Sequence, residues 1–290
     1  MKTQTQSTIV YEPIDLNLVK TLGKKRFNSN NHHTNGVKPD DYFTQIEECN
    51  TKNWVNKLNR PYKKIIIDNK NDILFLHKIS HLGKITRKTS NLYKEDLLDF
   101  VKSYETKCAN IFENNQKYFV RSEHVSLKYG EHGLIPYTNF KQIIESICTC
   151  PSGHTPLNFN DTQITLYLFE WIKMNKKDEF RVFVKNKKIT CISQQYLYDD
   201  FGLNEEVLRD KIIILMIYFE NHVKNIINLC NFSYDFTFVH DEPYVIEFNT
   251  FGKEYASGSA LFHWILDHDK LYGSQENLVY VRYIETQKTI

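Results

Sequence analysis

Tyr234-Asp235-Phe236-Thr237-Phe238-Val239 and Tyr244-Val245-Ile246-Glu247-Phe248-Asn249, separated by His240-Asp241-Glu242-Pro243, read as two strands joined by a turn. Side chains alternate between the faces of a strand, so Ile246 and Phe248 share one face and Glu247 and Asn249 the other. On the preceding strand Phe236 and Phe238 alternate with Asp235 and Thr237. With both apolar sets facing a core, Asp235, Glu247 and Asn249 converge on the opposite face. That convergence needs an even sum of paired residue numbers, such as Asp235 opposite Glu247 or opposite Asn249. An odd sum would bury an unpaired Asp235 beside Phe236 and Phe248, so the even register is expected, with the two carboxyls within about 6 Å. Two carboxylates and an amide in one cleft suit a hard cation such as Mg²⁺, which prefers oxygen and keeps waters for a phosphate partner. An ordinary half-solvated hairpin is the other reading, and spacing leaves both open.

Outward from this hairpin, Phe180, Val182 and Val184 alternate with Glu179, Arg181 and Phe183, and Asn186-Lys187 turns the chain into Ile189–Ser193. An Arg alternating with core residues needs an anion: either a phosphate, or a carboxylate such as Glu179 or one on a neighbouring strand. Arg121 ends the expected strand Tyr118–Val120, with Lys128 just before Gly130. Ile65–Ile67 and Ile73–Leu76 read as two strands around the polar turn 68–72. Leu97, Leu98, Val101, Tyr104 and Cys108 predict an amphipathic helix between Leu92 and Phe112. A helix through Phe140–Ile147 stops before Pro151, and Ile164–Trp171 is an apolar strand. A long helix is expected over 204–228, with Val207, Ile213, Ile214, Ile217, Phe219 and Ile226 buried. A last helix is expected from Ser259 through Trp264 and Leu266. No internal repeat occurs, and the pattern is a mixed α/β chain with antiparallel hairpins.

The 290 residues can form one large unit or two lobes, and 41% hydrophobic and 14% aromatic content excludes a disordered or fibrous chain. A net charge of +2, with no basic domain or interleaved aromatic patch, argues against nucleic acid. Six cysteines are too few for a disulfide scaffold, and no signal peptide or apolar run of about 18 residues is seen, so a cytoplasmic protein without membrane contact is expected. No GxGxxG and no GxxxxGK[ST] occurs, which excludes the Rossmann and P-loop sites. Lys24-Lys25-Arg26 followed by Asn28–Gly36 reads as a solvated, mobile polar loop near 24–40. Cys148-x-Cys150 with His154 resembles half a zinc site but lacks a fourth ligand at a fitting spacing. His263 reads as a helix-face residue and His268 as a surface residue. Ser257-Gly258-Ser259 reads as an N-cap or an anion-binding turn.

Three blocks together resemble a known family: Phe119-Val120-Arg121-Ser122 to Lys128-Tyr129-Gly130, Glu179–Val184 followed by Ile192-Ser193-Gln194, and Asp235-Phe236-x-Phe238 followed by Ile246–Gly252. They are similar to the ATP-grasp proteins of the cell-division-cycle family of assembly chaperones for eukaryotic translation initiation factor two, and to related viral and bacterial ATP-grasp proteins. The resemblance covers roughly 118–264. It implies an α+β ATP-grasp fold, two α/β lobes with antiparallel sheets clamping ATP, with an N-terminal region and lobe over 1–115 and the nucleotide-binding region over 116–290. By the same resemblance Asp235, Glu247 and Asn249 are Mg²⁺ ligands, and Arg121 and Lys128 hold phosphates. Arg181 reaches the terminal phosphates as the catalytic cation, and the backbone of Glu170-Trp171-Ile172 reads the adenine. The family's usual Asp is Glu247 here, its Pro is Thr250 and its first phosphate-side Lys is Arg121. Two functions are implied. One is ligase-type activation of a carboxylate on a peptide or protein through an acyl phosphate. The alternative is a non-ligase ATP-binding chaperone for a translation initiation factor or other protein partner.

Overall fold

The computed structural model describes residues 7–30, 38–158, 160–255, 257–275 and 277–286. Nine strands occur among them: β1 (Thr8–Asp15), β2 (Lys63–Ile67), β3 (Tyr118–Arg121), β4 (Ile164–Glu170), β5 (Phe180–Lys185), β6 (Lys188–Gln194), β7 (Phe232–Val239), β8 (Glu242–Asn249) and β9 (Leu278–Glu285). The chain divides into two units, Met1–Leu58 with Lys173–Ile290, and Asn59–Ile172. The second unit is therefore an insertion in the first and takes residues from both sides of position 115.

In the first unit six strands form one sheet in the order β1-β9-β6-β5-β7-β8. β9 runs parallel to β1 and β6, and the other pairs are antiparallel. Both hairpins turn through two residues in the left-handed region, Asn186-Lys187 and His240-Asp241, as two-residue loops require. Asp235 lies opposite Glu247, the expected even register. A bulge follows Asp235 and places Phe236 opposite Val245. Val245 thus takes the buried position expected for Ile246, which is only half-buried as the extra residue of the bulge.

One face of this sheet is apolar, with Val182, Ile192, Tyr234 and Phe248 in one cross-strand row. Phe219 stacks on Tyr234 with centroids 6.1 Å apart, and Trp54 packs 5.8 Å from Phe248. The helix leading to Phe219 spans Glu205–Tyr218, capped by Asn204 accepting from Val207 N at 2.9 Å, and ends in a single wide turn, Phe219–Val223. Its buried side is Leu208, Ile212, Leu215 and Phe219, whereas Val207, Ile213, Ile214 and Ile217 are exposed. The helical period is as expected but its phase is not, because the near-continuous apolar run Ile212–Ile217 fits several phases equally.

Phe183, Cys191, Phe251, Phe262, Trp264, Leu271 and Tyr280 form a core cluster of the same unit. The helix expected from Ser259 is absent. Ser259 N donates to Ser29 O at 3.1 Å, Leu261 N to Ser193 Oγ at 2.9 Å and Trp264 N to Ser29 Oγ at 2.9 Å. Tertiary partners take the donors a helix would use internally, and only His268–Leu271 is helical.

The second unit has a three-stranded antiparallel sheet, β2-β4-β3. Ile65, Ile67, Val120, Leu166 and Leu168 form a core with the helices Lys70–Thr86 and Phe140–Thr149. The strand expected at Ile73–Leu76 lies in the first of these helices. Asn69 caps it, accepting from Asn71 N at 2.8 Å, and Ile73, Leu76, Ile79 and Gly83 point inward at helical spacing. A Cβ at Gly83 would sit 2.3 Å from Cys148 O, so glycine allows the two helices to touch there. The expected helix over 92–112 is broken into Lys94–Ser103 and Glu105–Cys108. Leu97, Tyr104 and Cys108 are buried, Phe100 is buried as well, and Leu98 is exposed.

Candidate functional site

Cross-strand partners share a sheet face, so the register of the first unit can be followed from edge to edge. Glu12 on β1 faces Arg282 on β9, and Arg282 faces Ser193 on β6. Ser193 faces Arg181 on β5, Arg181 faces Asp235 on β7, and Asp235 faces Glu247 on β8. One polar row crosses all six strands, on the face opposite the Val182–Tyr234 row.

The row is organised by two buried arginines on either side of Ser193. Arg181 donates from Nε to Asp235 Oδ1 at 2.7 Å and from Nη2 to Asp235 Oδ2 at 2.7 Å, while Nη1 reaches Gly258 O at 2.8 Å. Burial alone would lower the Arg181 pKa, but the facing Asp235 carboxylate outweighs it and the pKa is raised. Arg282 grips Asp267 with both terminal nitrogens (2.8 and 2.9 Å), Glu12 with Nε (2.8 Å) and Leu261 O with Nη1 (3.1 Å). Arg26 makes a second bidentate pair with Asp267 at 2.6 and 2.9 Å, and Lys270 pairs with Glu12. Burial would raise the Asp267 pKa, yet the two guanidinium groups hold its carboxyl below the usual range.

The carboxylate reading of Arg181 is therefore the one realised, with the partner on the neighbouring strand. Both Asp235 oxygens accept from Arg181, but a carboxylate has about four lone-pair positions, so Asp235 keeps accepting capacity on the face it shares with Glu247. Asn249 follows Glu247 by two residues, and its Nδ2 is buried with no hydrogen-bond partner among the described residues. The two carboxylates of this row with the Asn249 Oδ1 are chemically suited to a hard cation, and the unpartnered Asn249 Nδ2 donor to an anionic ligand of that cation. Among the described residues there is no group of three or more His, Cys, Asp or Glu that could hold a metal, so any cation here would be completed by the amide and by its ligand.

The remaining sequence-derived candidates lie in the second unit. Arg121 is buried at the end of β3 opposite Tyr167, and Lys128 is exposed in the turn Leu127–Tyr129. Lys128 Nζ lies 5.5 Å over the ring of Tyr129, which packs 4.1 Å from His154. Glu170 faces Tyr118 at the other end of β3. The backbone N–H of Trp171 is donated to Lys117 O at 2.8 Å, so base reading by 170–172 would fall to the carbonyls and to Ile172.

Other candidates resolve into structure. Cys148 and Cys150 are buried free thiols, and burial pushes Cys150 up to about 11, unfavourable for a zinc thiolate. His263 is buried in the irregular stretch, its Nδ1 accepting from Ile265 N and Leu266 N, and His268 is exposed as expected. Arg26, expected to be solvated, is ion-paired, and Phe27 and Ser29 are buried. Residues 31–37 of the expected mobile loop lie outside the described residues. The sequence reading missed Glu12, Arg26, Asp267 and Arg282. The signal for Arg282 was present, since it alternates with core residues in Val279-Tyr280-Val281-Arg282-Tyr283 as Arg181 does in its strand.

These features define a mixed α+β protein with antiparallel hairpins and a polar row on one sheet face. Residues 141–290 match the family described as D123, and the chain belongs to that family. It is similar to the structure of Cdc123 from Schizosaccharomyces pombe, at 16% identity and a TM-score of 0.57, over 84% of this chain and 98% of that one. A C-terminally truncated form of the same protein gives 17%, 0.56, 83% and 97%. D-alanine-D-alanine ligase from Helicobacter pylori is far more distant, at 13% identity and a TM-score of 0.38, over 91% of this chain and 67% of that one. Among curated proteins none matches the sequence. No helix among the described residues is long and apolar enough to cross a membrane.

Proposed function

We propose that the chain binds ATP with Mg²⁺ and uses the bound nucleotide to organise a surface for a protein partner in the cytoplasm. The observation that carries this reading is the facing pair Asp235 and Glu247 beside the unsatisfied Asn249 amide, with Arg181 fixed at the next position of the row. Asp235, Glu247 and Asn249 would hold the metal, which when bound neutralises charge on the phosphates. Arg181 would face the terminal phosphates, and by the family resemblance Arg121 and Lys128 would be further phosphate contacts. Membership of the D123 family supports the assembly reading over the ligase reading. The double engagement of Arg181 by Asp235 and Gly258 also suits a fixed electrostatic post better than a cation that moves during a reaction.

Titration calorimetry of the full chain with Mg·ATP tests nucleotide binding, and no heat at millimolar ATP overturns it. Mass spectrometry of candidate protein partners incubated with the chain and Mg·ATP separates the two functions. Co-purification without a new covalent bond supports the assembly reading. A new amide or acyl adduct establishes the ligase reading instead, with the carboxylate-activating chemistry expected of an acyl phosphate.

A further inference from the structure

The helix Glu205–Tyr218 carries two apolar faces. The inner one, Leu208, Ile212 and Leu215, is fully buried, yet Val207, Ile213, Ile214 and Ile217 stand between 42 and 57% exposed. At about 100° per residue these four fall within one arc of about 120° on the outer side, and Glu206 and Asp210 lie in the same arc. Asp210 precedes Ile213 by three positions and Ile214 by four, so its side chain neighbours both on the helix surface. Helix propensity does not account for the isoleucines, since a β-branched residue forms a helix less readily than the Lys, Glu or Ala that suits an exposed position. Nor does the core, which these side chains do not enter. Single apolar residues scattered over a surface need no explanation, but a contiguous face of them does.

The uncommitted charge on this face has one sign. Between 205 and 224 every Lys and Arg is paired with a carboxylate: Arg209 with Glu205 at 2.9 Å, Lys211 with Asp178, and Lys224 with Glu220 at 2.7 Å. Glu206 and Asp210 pair with no cation among the described residues. We propose that this face docks a basic amphipathic helix of a protein partner, its apolar stripe on Val207, Ile213, Ile214 and Ile217 and its Lys or Arg side chains on Glu206 and Asp210. The inference deepens the partner half of the reading above and rests on that half alone. The helix runs into Phe219, which stacks on Tyr234 of the apolar sheet face, so the surface lies apart from the polar row and its test does not depend on nucleotide. Val207 and Ile217 lie about 15 Å apart along the axis, room for a partner helix of about three turns. Two acidic side chains repel anionic lipid and nucleic acid, and a second copy of the same face would bring four carboxylates together with no cation among them. A cationic partner is what these charges select.

The test is fluorescence anisotropy of the full chain with two labelled synthetic peptides. One is a helix-forming peptide of about 18 residues with a stripe of Leu flanked by Lys, and the other is the same sequence with each Lys replaced by Glu. The expected result is saturable binding of the cationic peptide, at least about tenfold tighter than the acidic one. Ile214→Ala with Ile217→Ala should weaken the cationic peptide at least about tenfold, with melting temperature level because alanine is the better helix former. Glu206→Gln with Asp210→Lys should narrow or reverse the preference between the peptides. No binding of the cationic peptide, equal affinity for both, or binding unmoved by either pair of substitutions overturns the proposal. Concentration-dependent dimerisation in light scattering that the two alanine substitutions abolish also overturns it, because the face would then belong to a second copy. A chain that binds the cationic peptide as expected but gives no heat with Mg·ATP retains this surface and loses the nucleotide reading.

Discussion

The two units solve the problem of a β-sheet in opposite ways. The six-stranded sheet of the first unit devotes a full row to ionic and polar side chains, from Glu12 through Arg282, Ser193, Arg181 and Asp235 to Glu247. The three-stranded sheet of the second unit packs Ile65, Ile67, Val120, Leu166 and Leu168 against two helices, with a cluster that is apolar nearly throughout. Apolar packing is insensitive to pH and forgiving of small adjustments. A buried charge row is neither, because each charge is tolerable only while its partner is present. The row ends at Asp235 and Glu247, the carboxylates proposed to hold the metal.

The sharpest way to break this comparison is to remove one partner from the row. Asp267→Ala leaves Arg282 and Arg26 facing each other and should lower the stability of the first unit by about 3–5 kcal/mol, read by urea unfolding. The same group gives the row its pH dependence. The native pKa of Asp267 lies below its unfolded value, so its contribution is fully present above pH ~4 and is lost as pH falls through the native pKa. Urea midpoints between pH 7 and pH 3 should fall more for the parent than for Asp267→Ala. Equal falls would remove the distinction between the units.

In the second unit, Leu168→Ala should cost about 2–5 kcal/mol by leaving a cavity, with the same cost at both pH values. A smaller loss, about 1 kcal/mol, is expected for Asn69→Ala, which removes the cap of the helix Lys70–Thr86. The smallest effect tests the end of the row. Glu247→Ala relieves repulsion against Asp235 and should change stability by less than about 1 kcal/mol, in either direction, while weakening Mg·ATP more than metal-free ATP. Asp235→Ala, by contrast, strands the buried Arg181 and should destabilise the chain as well as weaken Mg·ATP binding. If Asp235→Ala were as benign as Glu247→Ala, the Arg181 pairing would not be holding the site.

Strands with strict alternation and short turns were legible in the sequence. The β5–β6 and β7–β8 hairpins, the even register of Asp235 and the capped helix Phe140–Thr149 all follow from period and punctuation. Ile73–Leu76 was misread because four apolar residues in a row carry no period, and only the cap at Asn69 separates helix from strand. The helix after Asn204 was placed but misphased for the same reason. Ser259–Leu266 has a helical pattern that loses to hydrogen bonds from Ser29 and Ser193, residues distant in sequence. Of the polar row and its partners, Asp235, Glu247 and Arg181 could be read from alternation, while Arg26 and Asp267 could not. Their roles depend on a segment near the start of the chain lying across a loop near its end.

The parallel pairing of β1 with β9 has a consequence for how the chain is made. A ribosome releases β1 long before β9 exists, and β1 has no other neighbour in the sheet. The insertion Asn59–Ile172 holds all its own strands and helices, and can collapse while the rest is still being translated. The first unit must wait, with Glu12 holding only Lys270 and Asp267 only Arg26, until Arg282 emerges. A nascent chain stalled before Leu278 should thus show protease resistance within 59–172 and susceptibility on both sides of it, the signature of a protein whose beginning is completed by its end.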